Sequence, residues 1–204
     1  MYINKKFFFA VVLFTFMAVN KSIAQSNVKI SSSVKRKPTL LMYAGGGLSG
    51  YTSTINPTAG ILEDKISKIS SVGTFRLMWH PGYRLRLGIE TGYVNFYSYK
   101  VKNGNTSGKV NLNAIPLLII WSMPIVKRVN IFAGIGSYWL TTNLNYNGTV
   151  KSKTFSLGSN IALSYTQPLT KTLGLAAEVK WMNAFETKDN LLSVQALLVW
   201  RVFK

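Results

Sequence analysis

The sequence predicts an all-β chain, eight antiparallel strands closed up-and-down into a transmembrane β-barrel. Three observations carry that expectation. Residues 84–99 alternate apolar and polar side chains over an unusually long run. From Thr39 onward the chain breaks into strand-like segments of about ten residues punctuated by turn chemistry. Tryptophans and tyrosines collect near the segment ends.

In the first of these, Leu85, Leu87, Ile89, Thr91, Tyr93, Asn95, Tyr97 and Tyr99 share one parity, while Arg84, Arg86, Gly88, Glu90, Gly92 and Val94 share the other. Successive side chains of a strand point to opposite faces, so one face is apolar and the other charged or bare glycine. A water-soluble sandwich would bury the apolar face. A membrane barrel turns it to lipid and lines its lumen with the polar one. The rest of the chain favours the membrane.

Residues 1–24 have the layout of a cleaved signal peptide. Lys5 and Lys6 precede the apolar run Phe7 to Val19, and Ser22-Ile23-Ala24 offers a small-x-small cleavage site. Thirteen apolar residues fall short of the roughly 20 a spanning helix needs. Cleavage after Ala24 would leave 180 residues, a length for one domain, with 21 bases against 6 acids and a net charge of +15. The chain has no cysteine, which excludes disulfides and thiolate metal sites. Its lysines are scattered rather than gathered with aromatics into a stripe, which argues against nucleic acid and for anionic lipid headgroups as counter-charge.

Residues 25–38 read as a polar N-terminal linker and residues 39–204 as the barrel domain. Strand one is expected over Thr39–Ser53, through Gly45-Gly46-Gly47, and strand two over Ile69–Trp79. His80-Pro81-Gly82 makes a tight turn, Pro presetting φ and Gly accepting positive φ. Strand three is the alternating stretch, and Asn103 to Gly108 the next loop. Strand four spans Lys109–Trp121, where Pro116, lacking a ladder donor, calls for a bulge. Met123 to Val129 is expected to turn the chain into strand five, Asn130–Leu144, and Asn145 to Lys151 into strand six, Lys153–Tyr165. Strand seven covers Thr172–Phe185 and strand eight Leu191–Phe203.

In an up-and-down barrel, Trp79, Trp121, Tyr165 and Trp200 end the even strands at one rim, and Tyr97, Tyr99, Trp139 and Trp181 lie toward the other rim on the odd strands. Those are the two aromatic girdles of a membrane barrel. Arg76, Arg84, Arg86, Glu90, Glu178 and Lys180 fall on the inward parity. Eight staves leave an interior just wide enough for side chains, so an ion-paired plug is expected over a charged conduit. Leu87, read as mid-membrane, should tolerate arginine poorly. Gly88, on the other parity, should tolerate alanine better.

The chain resembles the small outer-membrane β-barrel proteins of Bacteroidetes often labelled PorT-like and, in shape, the OmpA/OmpX-type barrels. The resemblance rests on Ile23-Ala24-Gln25, Gly45-Gly46-Gly47, Leu87-Gly88-Ile89-Glu90-Thr91-Gly92-Tyr93, Ile115-Pro116-Leu117-Leu118 and Ala133-Gly134-Ile135-Gly136. It implies an outer-membrane location, insertion by the barrel assembly machinery and an envelope or secretion partner. In such families an aromatic residue closes the lipid-facing parity; here Trp200 and Val202 hold that parity, with Phe203 and Lys204 after them.

The residues themselves give little chemistry. His80, the single histidine, sits in a turn, and Glu63 and Asp64 are adjacent, so their side chains diverge. No phosphate-cradling motif and no metal-ligand cluster appears, so no catalytic residue, metal or cofactor is expected. The leading reading is a non-enzymatic barrel, structural or adhesive, or an accessory of envelope assembly or secretion. The alternatives are a narrow, weakly anion-preferring solute pore and a lipid A-modifying enzyme. Lys100, Lys102, Lys109 and Lys151 in the outward loops are candidate lipopolysaccharide contacts.

Overall fold

A computed structural model describes residues 38–53, 62–81, 85–103, 106–145 and 149–203. The expected signal peptide and nearly all of the linker lie outside the described residues. The described residues form nine strands: β1 (Thr39–Tyr51), β2 (Leu62–Ser67), β3 (Ile69–His80), β4 (Arg86–Asn103), β5 (Thr106–Val126), β6 (Val129–Asn145), β7 (Thr149–Pro168), β8 (Leu173–Ala184) and β9 (Asp189–Phe203). Each pairs antiparallel with its neighbours, and β9 returns to pair with β1. β2 and β3 both pair with β4 on either side of Lys68 and make one stave. The ring is therefore a closed barrel of eight staves.

Several strands are longer than the sequence suggested. β4 reaches Asn103 and β5 starts at Thr106, so strand takes in most of the six residues expected as a loop. Of the loop expected over Asn145–Lys151, Asn145 belongs to β6 and Thr149, Val150 and Lys151 belong to β7. Met123 and Ile125 continue the outward alternation, and only Lys127 and Arg128 turn the chain. Polar and glycine-rich segments stay in the ladder here because a neighbouring strand offers partners for their backbone groups. The extra segment β2, which falls between the strands expected over Thr39–Ser53 and Ile69–Trp79, pairs with the far end of β4 for the same reason.

Pro116 does not produce a bulge. The β4–β5 ladder passes from Thr91↔Leu117 to Val94↔Ala114 in unchanged register, skipping the two pairs at Pro116 and Ile115, where proline has no donor to give. The bulge lies instead in β4, where the register shifts between Asn95 and Tyr97. Phe96 is the extra residue and is fully buried. A bulge sets two residues against one and reverses the parity beyond it.

Interior and exterior separate cleanly. Outward positions carry Ile89, Ile119, Ile135, Leu163, Val179 and Leu198, each about half exposed or more. Inward positions hold a charged layer bordered by apolar ones: Met78, Ile120, Phe132 and Leu197 on the side of the short turns, and Phe96, Leu112, Leu140 and Met182 on the other. The interior is drier than the alternation alone implied. β1 packs closely on β9 at Gly47, where an added Cβ would fall on the Val194 carbonyl oxygen.

Candidate functional site

Four charged side chains meet in the barrel interior. Arg76 on β3 and Glu90 on β4 are cross-strand partners, so their side chains start side by side. The Arg76 guanidinium donates through Nε to Glu90 Oε2 at 2.5 Å. It also grips Glu178 on β8 with two bonds of 2.9 Å, Nη1 to Oε2 and Nη2 to Oε1. Lys180 Nζ, two residues along β8, lies 2.9 Å from Glu90 Oε1 and 3.4 Å from Glu178 Oε1. All four side chains are at most 2% exposed. Two cations and two carboxylates leave the quartet neutral.

The partners around it come from most of the ring. Lys180 Nζ donates to Thr74 Oγ1 at 2.9 Å, and Thr74 in turn donates to Gln195 Oε1 on β9. Asn160 Nδ2 on β7 donates to Glu90 Oε1 at 2.8 Å. The Arg76 guanidinium lies 4.0 Å from the Phe132 ring centroid of β6 and 5.5 Å from that of Tyr43 on β1. These faces supply cation–π attraction where water is excluded. Leu118 of β5, opposite Glu90, closes the layer.

The span of the Lys180–Glu90 contact decides what the layer does. Around the ring, β4 and β8 are separated by β3, β1 and β9 one way and by β5, β6 and β7 the other. They are diametrically opposite staves. A direct bond of 2.9 Å between their side chains crosses the full bore.

The six inward residues expected to form one network divide. Arg76, Glu90, Glu178 and Lys180 come together. Arg86 does not join them: it is half-buried and donates to Asn130 Oδ1 at 3.1 Å. It lies four residues before Glu90, about 13 Å along the strand, too far for the quartet. Arg84 lies outside the described residues. Thr74, Asn160 and Gln195, the quartet's neutral partners, were not singled out from sequence, although each sits on the inward parity of its own strand.

Of the aromatic residues expected in two belts, Trp79, Trp121, Tyr165, Trp200, Trp139 and Trp181 point outward. Tyr97 is a correction. The bulge at Phe96 turns it inward, where its ring meets Tyr51 edge-on at 5.0 Å. The Tyr99 side chain lies outside the described residues, as do those of Glu63, Asp64, Lys100, Lys102 and Lys109. Lys151 is exposed. Backbone register places Lys65, Lys100 and Lys109 side by side on β2, β4 and β5. Among the described residues no group of three His, Cys, Asp or Glu side chains is placed to hold a metal.

No protein-family model and no curated protein sequence matches the chain. Solved structures do. Ail, the attachment invasion locus protein of Yersinia pestis, aligns with TM-score 0.51 at 9% identity, over 81% of this chain and 99% of that one. Neisserial surface protein A aligns with TM-score 0.48 at 13% identity, over 81% and 99%. OprG of Pseudomonas aeruginosa aligns with TM-score 0.45 at 9% identity, over 83% and 97%. The fold is thus a small eight-stave barrel of the outer-membrane type, as the likeness to Ail shows.

Proposed function

We propose that this chain is a non-enzymatic integral outer-membrane protein with a plugged lumen, serving as a structural or adhesive element of the envelope. The observation that carries the reading is the Lys180–Glu90 contact across the bore, with Arg76 and Glu178 beside it, all shut off from solvent. A path for solutes would have to break that layer. The continuous apolar exterior, with six outward aromatics toward its two edges, supports residence in lipid. The resemblance to PorT-like proteins supports a role as accessory to envelope assembly or secretion, after insertion by the barrel assembly machinery.

Planar-bilayer recording is the test. The wild type is expected to carry no stable current, and a large steady conductance would overturn the plugged reading. A narrow pore would also be expected to prefer anions only weakly, because the quartet is neutral and the inward cations described outside it, Arg86 and Arg201, sit at one end of the bore.

The same reading takes lipopolysaccharide phosphates as partner of the loop end. Like charges directly opposite on neighbouring strands destabilise a sheet, and Lys65, Lys100 and Lys109 occupy one such row. An anionic surface offsets that repulsion. Replacing Lys100, Lys102, Lys109 and Lys151 with glutamine should remove most of the thermal stabilisation that added lipopolysaccharide gives the wild type, and raised salt should mimic the loss. Equal stabilisation of both proteins would remove lipopolysaccharide as partner.

A further inference from the structure

A second feature lies at the opposite end of the barrel, below the quartet. Near the short turns a cavity of about 200 Å³ is lined by His80, Arg86, Asn130, Thr166, Lys171 and Arg201, among others. Three of these are fixed cations and none of the lining residues is acidic. The imbalance is built into the whole chain, which has six acidic residues. Glu90 and Glu178 are committed to the quartet. Glu186 lies in the turn between β8 and β9 at the far end and Asp189 opens β9 beside it, and Glu63 and Asp64 belong to β2, which pairs with the far end of β4. No side-chain carboxylate remains for this end.

The described residues use few of the donors that these cations carry. A guanidinium has five donors. Among the described residues, Arg86 gives one of them to Asn130 Oδ1 and Arg201 one to the Lys171 carbonyl at 3.3 Å. His80 Nε2 and Thr166 Oγ1, two further polar atoms of lining residues, are buried without a hydrogen-bond partner among the described residues. Two guanidiniums, an ammonium, a hydroxyl and an imidazole nitrogen around one small cavity match a tetrahedral oxyanion. Arg binds phosphate oxygens through parallel N–H donors, and Lys adds a mobile point charge.

We infer that the turn-end cavity is an oxyanion site that takes a phosphate group, either free phosphate or the headgroup phosphate of a lipid in the adjoining leaflet. This site does not depend on the quartet or on whether the bore conducts.

The test uses the full chain in non-ionic detergent, titrated with inorganic phosphate against sodium chloride at equal ionic strength and read by calorimetry and thermal midpoint. A parallel arm compares phosphatidylcholine nanodiscs with and without phosphatidylglycerol. Saturable binding of phosphate beyond the chloride control is expected, and Arg86→Gln with Arg201→Gln should weaken it roughly tenfold or more. Lys188→Gln, at the far end, should leave it unchanged. Arg201→Gln alone guards against misfolding, since its side chain is exposed and bonds only a backbone carbonyl among the described residues. Stabilisation by phosphatidylglycerol without response to inorganic phosphate assigns the site to lipid, and the converse assigns it to free phosphate. No response in either arm, or an equal response in the double variant, overturns the site.

Discussion

Glu178→Gln tests the interior most sharply, because it keeps the shape of the side chain and removes one charge. Glu178 accepts two bonds of 2.9 Å from Arg76 and lies 3.4 Å from Lys180 Nζ. The amide leaves two cations facing one carboxylate, a net positive charge in a layer that water does not reach. Each lost contact near 3 Å is worth on the order of 5 kcal/mol at an effective dielectric of about 20. Relief from burying the carboxylate offsets much of this, so the net loss should be about 3–5 kcal/mol. Adding Lys180→Met restores neutrality, leaving Arg76 with Glu90. The double variant should therefore lose less than the sum of the singles, with a coupling of roughly 1 kcal/mol or more. Urea-driven unfolding and refolding in lipid vesicles, followed by tryptophan fluorescence and by the gel mobility of folded against boiled protein, measures both. A single-variant loss under about 1 kcal/mol, or strict additivity, would refute the reasoning.

The remaining expectations use the same assay. Ile119, cross-strand to Ile89 and Ile135, lies between belt residue Trp121 and Ile115, the partner of belt residue Trp139, so Ile119→Arg should cost about 2–4 kcal/mol. Leu87, which the sequence placed at mid-membrane, is paired with Trp79 and Trp121 at belt level, so Leu87→Arg should cost only about 0–1 kcal/mol; equal costs would mean the depth assignment is wrong. Gly88→Ala, read from sequence as the milder change, places a methyl on the Leu77 carbonyl and the Met78 sulfur and should cost about 1–3 kcal/mol, and a neutral result would show the interior to be looser than described. Tyr51→Phe removes the hydroxyl that donates to Asp189 Oδ1 at 2.5 Å and should cost about 1.5–3 kcal/mol; a neutral result would remove that bond from the stabilising set.

Parity made the barrel legible, because a period of two assigns each residue a face without knowledge of its neighbours. It put Arg76, Glu90, Glu178 and Lys180 inside together. It could not separate them from Arg86, which shares their face, because height along the bore depends on the stagger between strands. It failed outright at Tyr97, where one inserted residue reverses every face that follows and Asn95-Phe96 carries no glycine or proline to announce it. Strand lengths were also hidden. Residues 62–67 fall in the gap between the first two expected strands and become a strand because β4 extends far enough to pair with them.

The bond between β4 and β8 has a consequence for assembly. Arg76 and Glu90 are adjacent on neighbouring strands and can meet in a partly formed sheet. Glu178 and Lys180 enter near the end of the chain and reach them only when β9 joins β1 and the ring becomes complete. In an open sheet these charges face water or lipid at a distance of half the circumference. A ring with one stave more or fewer would hold them at the wrong separation. The quartet therefore acts as a gauge of strand number, matched only when the circumference is eight.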